Sequence, residues 1–133
     1  MRIMMSLVVG LMILAGAVHA KTPLRDVNAI DDSMLKVALA LEISAQCGEI
    51  NARKIKGMSF LYSLKKKANS LGYSNDEINA YRKSDTEKAR IRARGEAYVK
   101  SKGLNPKSAA DLCKLGHAEI KQSSVIGSLL KAK

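Results

Sequence analysis

Arg90 and Arg94 are the residues of this chain whose type and spacing most readily do chemistry. They lie in the stretch SDTEKARIRARGEAYVKSKG, Ser84 to Gly103, and four residues apart on a helix means one turn apart on a single stripe. Two planar guanidinium groups so placed suit phosphate or carboxylate, because each can donate to two oxygens at once. Any ligand is therefore expected to be anionic and to be held at Arg90 and Arg94. The competing use of the same pair is structural: Glu87 stands close enough to neutralise the stripe, and Arg92, Glu96 and Lys100 offer further internal pairs at four-residue spacing.

Other reactive side chains are few. Cys47 and Cys113 make an even count, and in an oxidising compartment such a pair forms one disulfide; they are too far apart in sequence to act as a CxxC redox centre. His117 follows Cys113 by four residues, yet zinc needs three or four ligands and a disulfide removes the thiolate, so no metal site is expected. Neither a haem-attachment motif, a GxSxG elbow, an HExxH pair nor a phosphate loop is present, and no cofactor is expected. Paired carboxylates remain as a route to catalysis, since glycoside hydrolysis needs only two acids across a cleft. Glu42, Glu49, Glu87 and Glu119 can be nominated, but no spacing singles out two of them. A small cell-envelope hydrolase is accordingly the alternative to a non-enzymatic binding or envelope-structural module.

The compartment is read from the first twenty residues, MRIMMSLVVGLMILAGAVHA: one cation, an apolar run, and small residues before a cleavage point after Ala20. This is the pattern of a secretory signal peptide, which predicts a periplasmic protein of residues 21–133 with no membrane segment left after cleavage. Loss of Arg2 takes the formal net charge from +11 to +10. So basic a chain favours polyanions, and export together with the absence of tryptophan argues against nucleic acid. An anionic envelope component or a protein partner is the expected class.

The elements that must position these residues all read as helices. Pro23 lies in an extended arm, Lys21 to Ile30. Asp31, Asp32 and Ser33 offer N-cap chemistry to a helix that ends at Cys47, with Gly48 as a left-handed terminator. A second helix is predicted from Asn51 to Leu71 on the spacing of Ile55, Met58, Leu61, Leu64, Ala68 and Leu71; the run Lys65, Lys66 and Lys67 reads as stabilisation of its C-terminal end. Ser74 with Glu77 and Ser84 with Glu87 repeat the spacing of a capping box, and the join between their helices is either a bend or a continuation. The Ser84 helix carries Ala89, Ala93 and Ala97 on one stripe and Ile91 and Tyr98 on another, which predicts a central helix packed on both sides. Asn105-Pro106 opens the last long helix, Ser123-Ser124 bend it, and Leu129 and Leu130 close the chain. No alternating β pattern is found. The fold class is all-α: a single small bundle of about five helices tied by one disulfide.

PLRDV and the aspartates after it, FLYSLKKKANSLGYSNDEINAY, the Ser84 to Gly103 stretch, and DLCKLGHAEI with SSVIGSLLKAK together resemble a family of small exported alphaproteobacterial proteins, the domain of unknown function numbered fifty-three thirty-three. The resemblance spans nearly the whole chain after the leader. It implies an exported helical protein with cysteines at positions 47 and 113, and it implies no activity.

Overall fold

A computed structural model describes residues 20–133; the leader read at residues 1–20 lies outside the described residues but for Ala20. The architecture is helical. Its hub is α1, Asn28–Gln46, against which the helices Asp85–Ser101, Ala109–Lys121 and Val125–Ser128 and a short 3-10 turn, Leu24–Asp26, all pack. Ile30, Val37, Ala40 and Ile43 recur at three- and seven-residue steps and give α1 its buried side. The expected start at Asp31 is corrected to Asn28. Asp31 does not cap a helix end, because its carboxylate is drawn inward by arginines from another helix, and Ser33 lies inside α1, with its hydroxyl bonded back to the Ala29 carbonyl at 2.8 Å.

At the end of α1, Cys47 adopts an extended conformation after its N–H donates to Ile43 at 2.8 Å, and Gly48 is not left-handed. The chain turns directly into β1, Ile50–Ala52, which pairs antiparallel with β2, Leu130–Ala132, in the register Ile50 to Ala132. Where no alternating β pattern was found there is this small sheet: Asn51 and Ala52 leave the second helix they were assigned to, and Leu130 leaves the last one. Helix α2 therefore begins later than expected and spans Lys54–Ser70.

The turn after α2 follows the sequence rule. Gly72 is left-handed at φ +94, and Tyr73 N–H closes onto the Ala68 carbonyl at 3.1 Å. Ser74 and Glu77 form the complete capping box that opens α3, Asn75–Lys83, with Glu77 N–H donating to Ser74 Oγ at 3.1 Å and Ser74 N–H to Glu77 Oε2 at 2.6 Å. Ser84 both ends α3 and caps α4, Asp85–Ser101, so the join is a bend. Only half of the second box forms: Ser84 Oγ accepts from Glu87 N–H at 3.2 Å, while the Glu87 carboxylate turns to Arg25 and Arg90.

Asn105 and Pro106 sit in a turn, and Ser108 is the residue that caps α5, Ala109–Lys121, by accepting from Asp111 N–H at 3.2 Å. Ser123, at φ 51, reverses the chain into α6, Val125–Ser128. Gly127 permits that reversal. A Cβ there would stand 2.6 Å from the Ile120 nitrogen and closer still to the Glu119 carbonyl, all backbone atoms.

Two apolar clusters share α1. The larger gathers Val37, Leu39, Ile43 and Cys47 with Val99 of α4, Leu112 and Leu115 of α5 and Ile126, Leu129 and Leu130 at the C-terminus. The smaller joins Leu24, Ile30, Leu64, Ala68 and Tyr73, which binds the N-terminal arm to α2. Cys47 and Cys113 are disulfide-bonded with Cα atoms 5.1 Å apart, linking the end of α1 to α5. The Ser84 helix is thus a flank: α4 buries Ile91 and Val99 and packs on α1 and α3, while α1 occupies the centre.

Candidate functional site

The structure brings Arg90 and Arg94 together and aims both inward. Arg90 donates from Nη1 to Asp31 Oδ2 at 3.1 Å, from Nη2 to Asp31 Oδ1, and from Nε to Glu87 Oε2 at 2.8 Å. Arg94 donates to Asp31 Oδ2 and, at 2.7 Å, to Asp32 Oδ1. Arg25 reaches Glu87 from the 3-10 turn, and Tyr81 of α3 donates its hydroxyl to Asp31 Oδ1 at 2.5 Å. One cluster therefore joins α1, α3, α4 and the N-terminal arm. The Asp31 side chain is 3 % exposed, against 27 % for Arg90 and 37 % for Arg94. The stripe read from sequence as open to a ligand has its donors occupied by acids of the same chain.

Proton affinities in the cluster follow from these contacts. Burial works to raise the Asp31 carboxyl, but hydrogen bonds from Arg90 and Tyr81 and the charges of Arg90 and Arg94 outweigh it and hold the group below its ordinary value. Glu87 is lowered in the same way, with burial opposed by Arg90 and Arg25. Tyr81 is pushed up by burial and by its bond to Asp31, and Arg90 is held protonated by Asp31. Each shift carries its group's proton affinity further from neutral pH, whereas a general acid or base needs one near the working pH. The arrangement suits a fixed electrostatic tie.

The four acids nominated for catalysis go to four different places. Glu87 is in the cluster. Glu119, buried at 4 % exposure, accepts from the hydroxyls of Tyr98 and Ser124; burial and that bond push the Tyr98 phenol up to about 12. Glu49 meets His117 at 2.9 Å on the surface. Glu42 lies on a groove beside the cluster. Cys47, Glu49 and Cys113 are the one group of metal-type ligands brought together among the described residues, and with both sulfurs in the disulfide that group offers only an oxygen.

That groove is a concave feature of ligand size. It encloses about 480 Å³ along the seam of α1 and α4, closed at one end by the end of α3 and at the other by Pro106 and Lys107. Its floor is apolar: Met34, Ala38 and Leu39 from α1, Ile91, Gly95 and Val99 from α4. Gly95 is buried against Leu39 and Leu35, which stand in ordinary contact range of the Cβ it lacks. The rim is charged. Lys107 pairs with Glu96 at 2.7 Å and Lys88 with Asp85 at 3.7 Å, but among the described residues no carboxylate pairs with Arg82 or Arg92. Sequence reasoning passed over Arg82 and read Arg92 as the partner of Glu96, which pairs with Lys107 instead; the available signal was that Arg92 lies off the Arg90–Arg94 stripe.

No helix among the described residues is long and apolar enough to cross a membrane. Fold and site together define a disulfide-tied helical protein with an internal ion cluster and an open apolar groove. The chain belongs to DUF5333, a family of unknown function, whose model matches residues 22–131. No curated protein and no solved structure matches it.

Proposed function

We propose that this protein is an exported, non-enzymatic binding module that holds an anionic amphiphile in the α1–α4 groove. The observation that carries the reading is the pairing of an apolar floor with two rim arginines that are in no ion pair among the described residues. A volume of about 480 Å³ falls within the range of small-ligand pockets, roughly 300–1,000 Å³, which are mostly apolar with a few placed polar groups. An acyl chain or ring would lie on Met34, Ala38, Ile91 and Gly95, and its carboxylate or phosphate would meet Arg82 and Arg92, whose guanidinium forks suit either anion. Export rests on the leader pattern and agrees with a disulfide, which persists in oxidising compartments.

Calorimetric titration with dodecanoate, and with dodecyltrimethylammonium as its cationic counterpart, tests the proposal. Saturable binding of the anion in preference to the cation is expected. Ala38→Phe should fill the floor and weaken dodecanoate binding by about tenfold, and Arg82→Gln with Arg92→Gln should narrow the preference for the anion. Equal binding by folded Ala38→Phe protein, or no preference between the two amphiphiles, would overturn it.

A further inference from the structure

Helix α2 is apolar on two opposite sides. Leu64 and Ala68 face the smaller core, and they are the only buried residues of the helix. Ile55, Met58 and Tyr62, spaced by three and four, form a second stripe that faces solvent at 87 %, 71 % and 65 % exposure. Such large apolar side chains, lined up in contact range of one another on a free helix face, mark an interaction surface. Met58 and Tyr62 also wall an open depression of about 430 Å³ against Leu24, Met34 and Ile78, so the apolar surface continues onto the neighbouring elements.

The charge around this stripe is of one sign. Between Ile50 and Asn75 the chain carries Arg53, Lys54, Lys56, Lys65, Lys66 and Lys67 and no acid. Among the described residues none of these six cations is in an ion pair, whereas Lys21, Arg25, Lys88, Arg90, Arg94, Lys107 and Lys114 all are. At 100° per residue, Lys54 and Lys65 fall on one flank of the stripe and Lys66 on the other, with Lys56 and Lys67 further round toward the buried face. Lys66 Nζ lies 6.0 Å from the centre of the Tyr62 ring. Long basic side chains on both flanks of an apolar stripe are what an interfacial helix uses, the apolar face entering the acyl boundary while the ammonium groups stay among the headgroups.

We infer that α2 docks this protein onto an anionic lipid surface, with Ile55, Met58 and Tyr62 inserted and the lysines on headgroup phosphates. A second copy of the chain is disfavoured as the occupant, because facing α2 helices would oppose six cations to six. A bilayer fits a convex stripe without a shaped counterpart, and anionic headgroups match its sign. The inference stands apart from the groove reading: none of Ile55, Met58, Tyr62 and the six cations lines the α1–α4 groove.

Flotation with vesicles tests it, using protein as recovered from cells with its N-terminus defined by mass spectrometry. The wild type should float with phosphatidylglycerol-containing vesicles, not with pure phosphatidylcholine, and should be released as salt is raised. Ile55→Ser with Met58→Ser and Tyr62→Ser, all at exposed positions, should cut partitioning by about tenfold or more, and so should Lys65→Gln with Lys66→Gln and Lys67→Gln. Helix content by circular dichroism checks that each variant is folded. If the wild type ignores anionic vesicles, or if the serine variant floats as well as the wild type, α2 is not a lipid-docking helix. Capture of an acidic protein by α2 in place of vesicles would likewise overturn the assignment.

Discussion

Replacing Asp31 by asparagine asks whether the internal ion cluster holds the fold. The carboxylate is 3 % exposed and accepts from Arg90, Arg94 and Tyr81, and asparagine keeps its volume and one acceptor while removing the charge. Deleting one partner of a buried ion pair costs about 3–5 kcal/mol, chiefly because the other charge is stranded. Two features reduce that cost. Arg90 keeps Glu87 and Arg94 keeps Asp32, and both guanidinium groups are near one-third exposed, so water takes up part of the stranded charge. About 2–3 kcal/mol remains, which in a domain of this size lowers Tm by about 8–12 °C.

The assay is thermal unfolding followed by circular dichroism for the wild type, Asp31→Asn, Arg90→Gln and the double variant. A coupling of about 1–3 kcal/mol is expected between the two positions. Acid adds a second reading. Asp31 and Glu87 are lowered in the folded state from ordinary values of 3.8 and 4.5, so unfolding takes up protons and their contribution is complete above those values. It is lost as the pH falls through them and through the folded values beneath. The gap between wild type and Asp31→Asn should therefore close on acidification, since a protonated Asp31 is close to an asparagine. A fall in Tm of less than about 2 °C at neutral pH, strict additivity in the cycle, or a gap undiminished at about pH 2 would refute the reasoning.

Two further outcomes concern the frame. The bond between Cys47 and Cys113 closes a loop with a sequence separation of 66, worth about 4 kcal/mol on chain entropy, so the double alanine variant should lose about that much in urea titration; no change would show that the unfolded chain is not restrained by it. Gly127→Ala pushes a Cβ against the Glu119 and Ile120 backbone and should cost more than about 3 kcal/mol, whereas Gly57→Ala, inside α2 with nothing within 4 Å of the added atom, should stabilise by about 0.5–1 kcal/mol; similar effects at both sites would contradict the packing of α6 on α5.

What could be read from the residues was local chemistry. Ser74 and Glu77 are three residues apart and need nothing else to form a cap; Gly72 ends α2 because glycine turns left-handed at little cost. Cys47 and Cys113 were legible by count. The strands were not, because three residues show no period, and Leu130 meets Ala52 only once the chain has packed around α1. Asp31 misled for a different reason. Aspartate near an apolar run reads as a cap, and only the arrival of Arg90 and Arg94 from α4 makes it a buried acceptor. In α2, Ile55, Met58, Leu61 and Leu64 look like one face, but each three-residue step falls 60° short of a full turn. After three such steps Leu64 points opposite Ile55, which is why one is buried and the other bare.

The same accounting separates two kinds of positive charge that composition merges into +11. Acids are the scarce species, 12 against 23 cations, and where they lie decides which cations remain available. Asp31, Asp32 and Glu87 are spent on Arg25, Arg90 and Arg94, and Glu77, Glu96 and Asp111 on Lys21, Lys107 and Lys114. None falls between Ile50 and Asn75, so the six cations of that stretch have no acid beside them in sequence and, among the described residues, none in an ion pair. Salt acts differently on the two populations. Screening over a Debye length of about 8 Å at physiological ionic strength weakens exposed lysines facing a distant surface and barely reaches a carboxylate enclosed by its guanidinium partners. The arginines that stand out in the sequence are therefore those least free to meet a ligand, and the lysines that read as an ordinary helix end are among the cations left uncompensated.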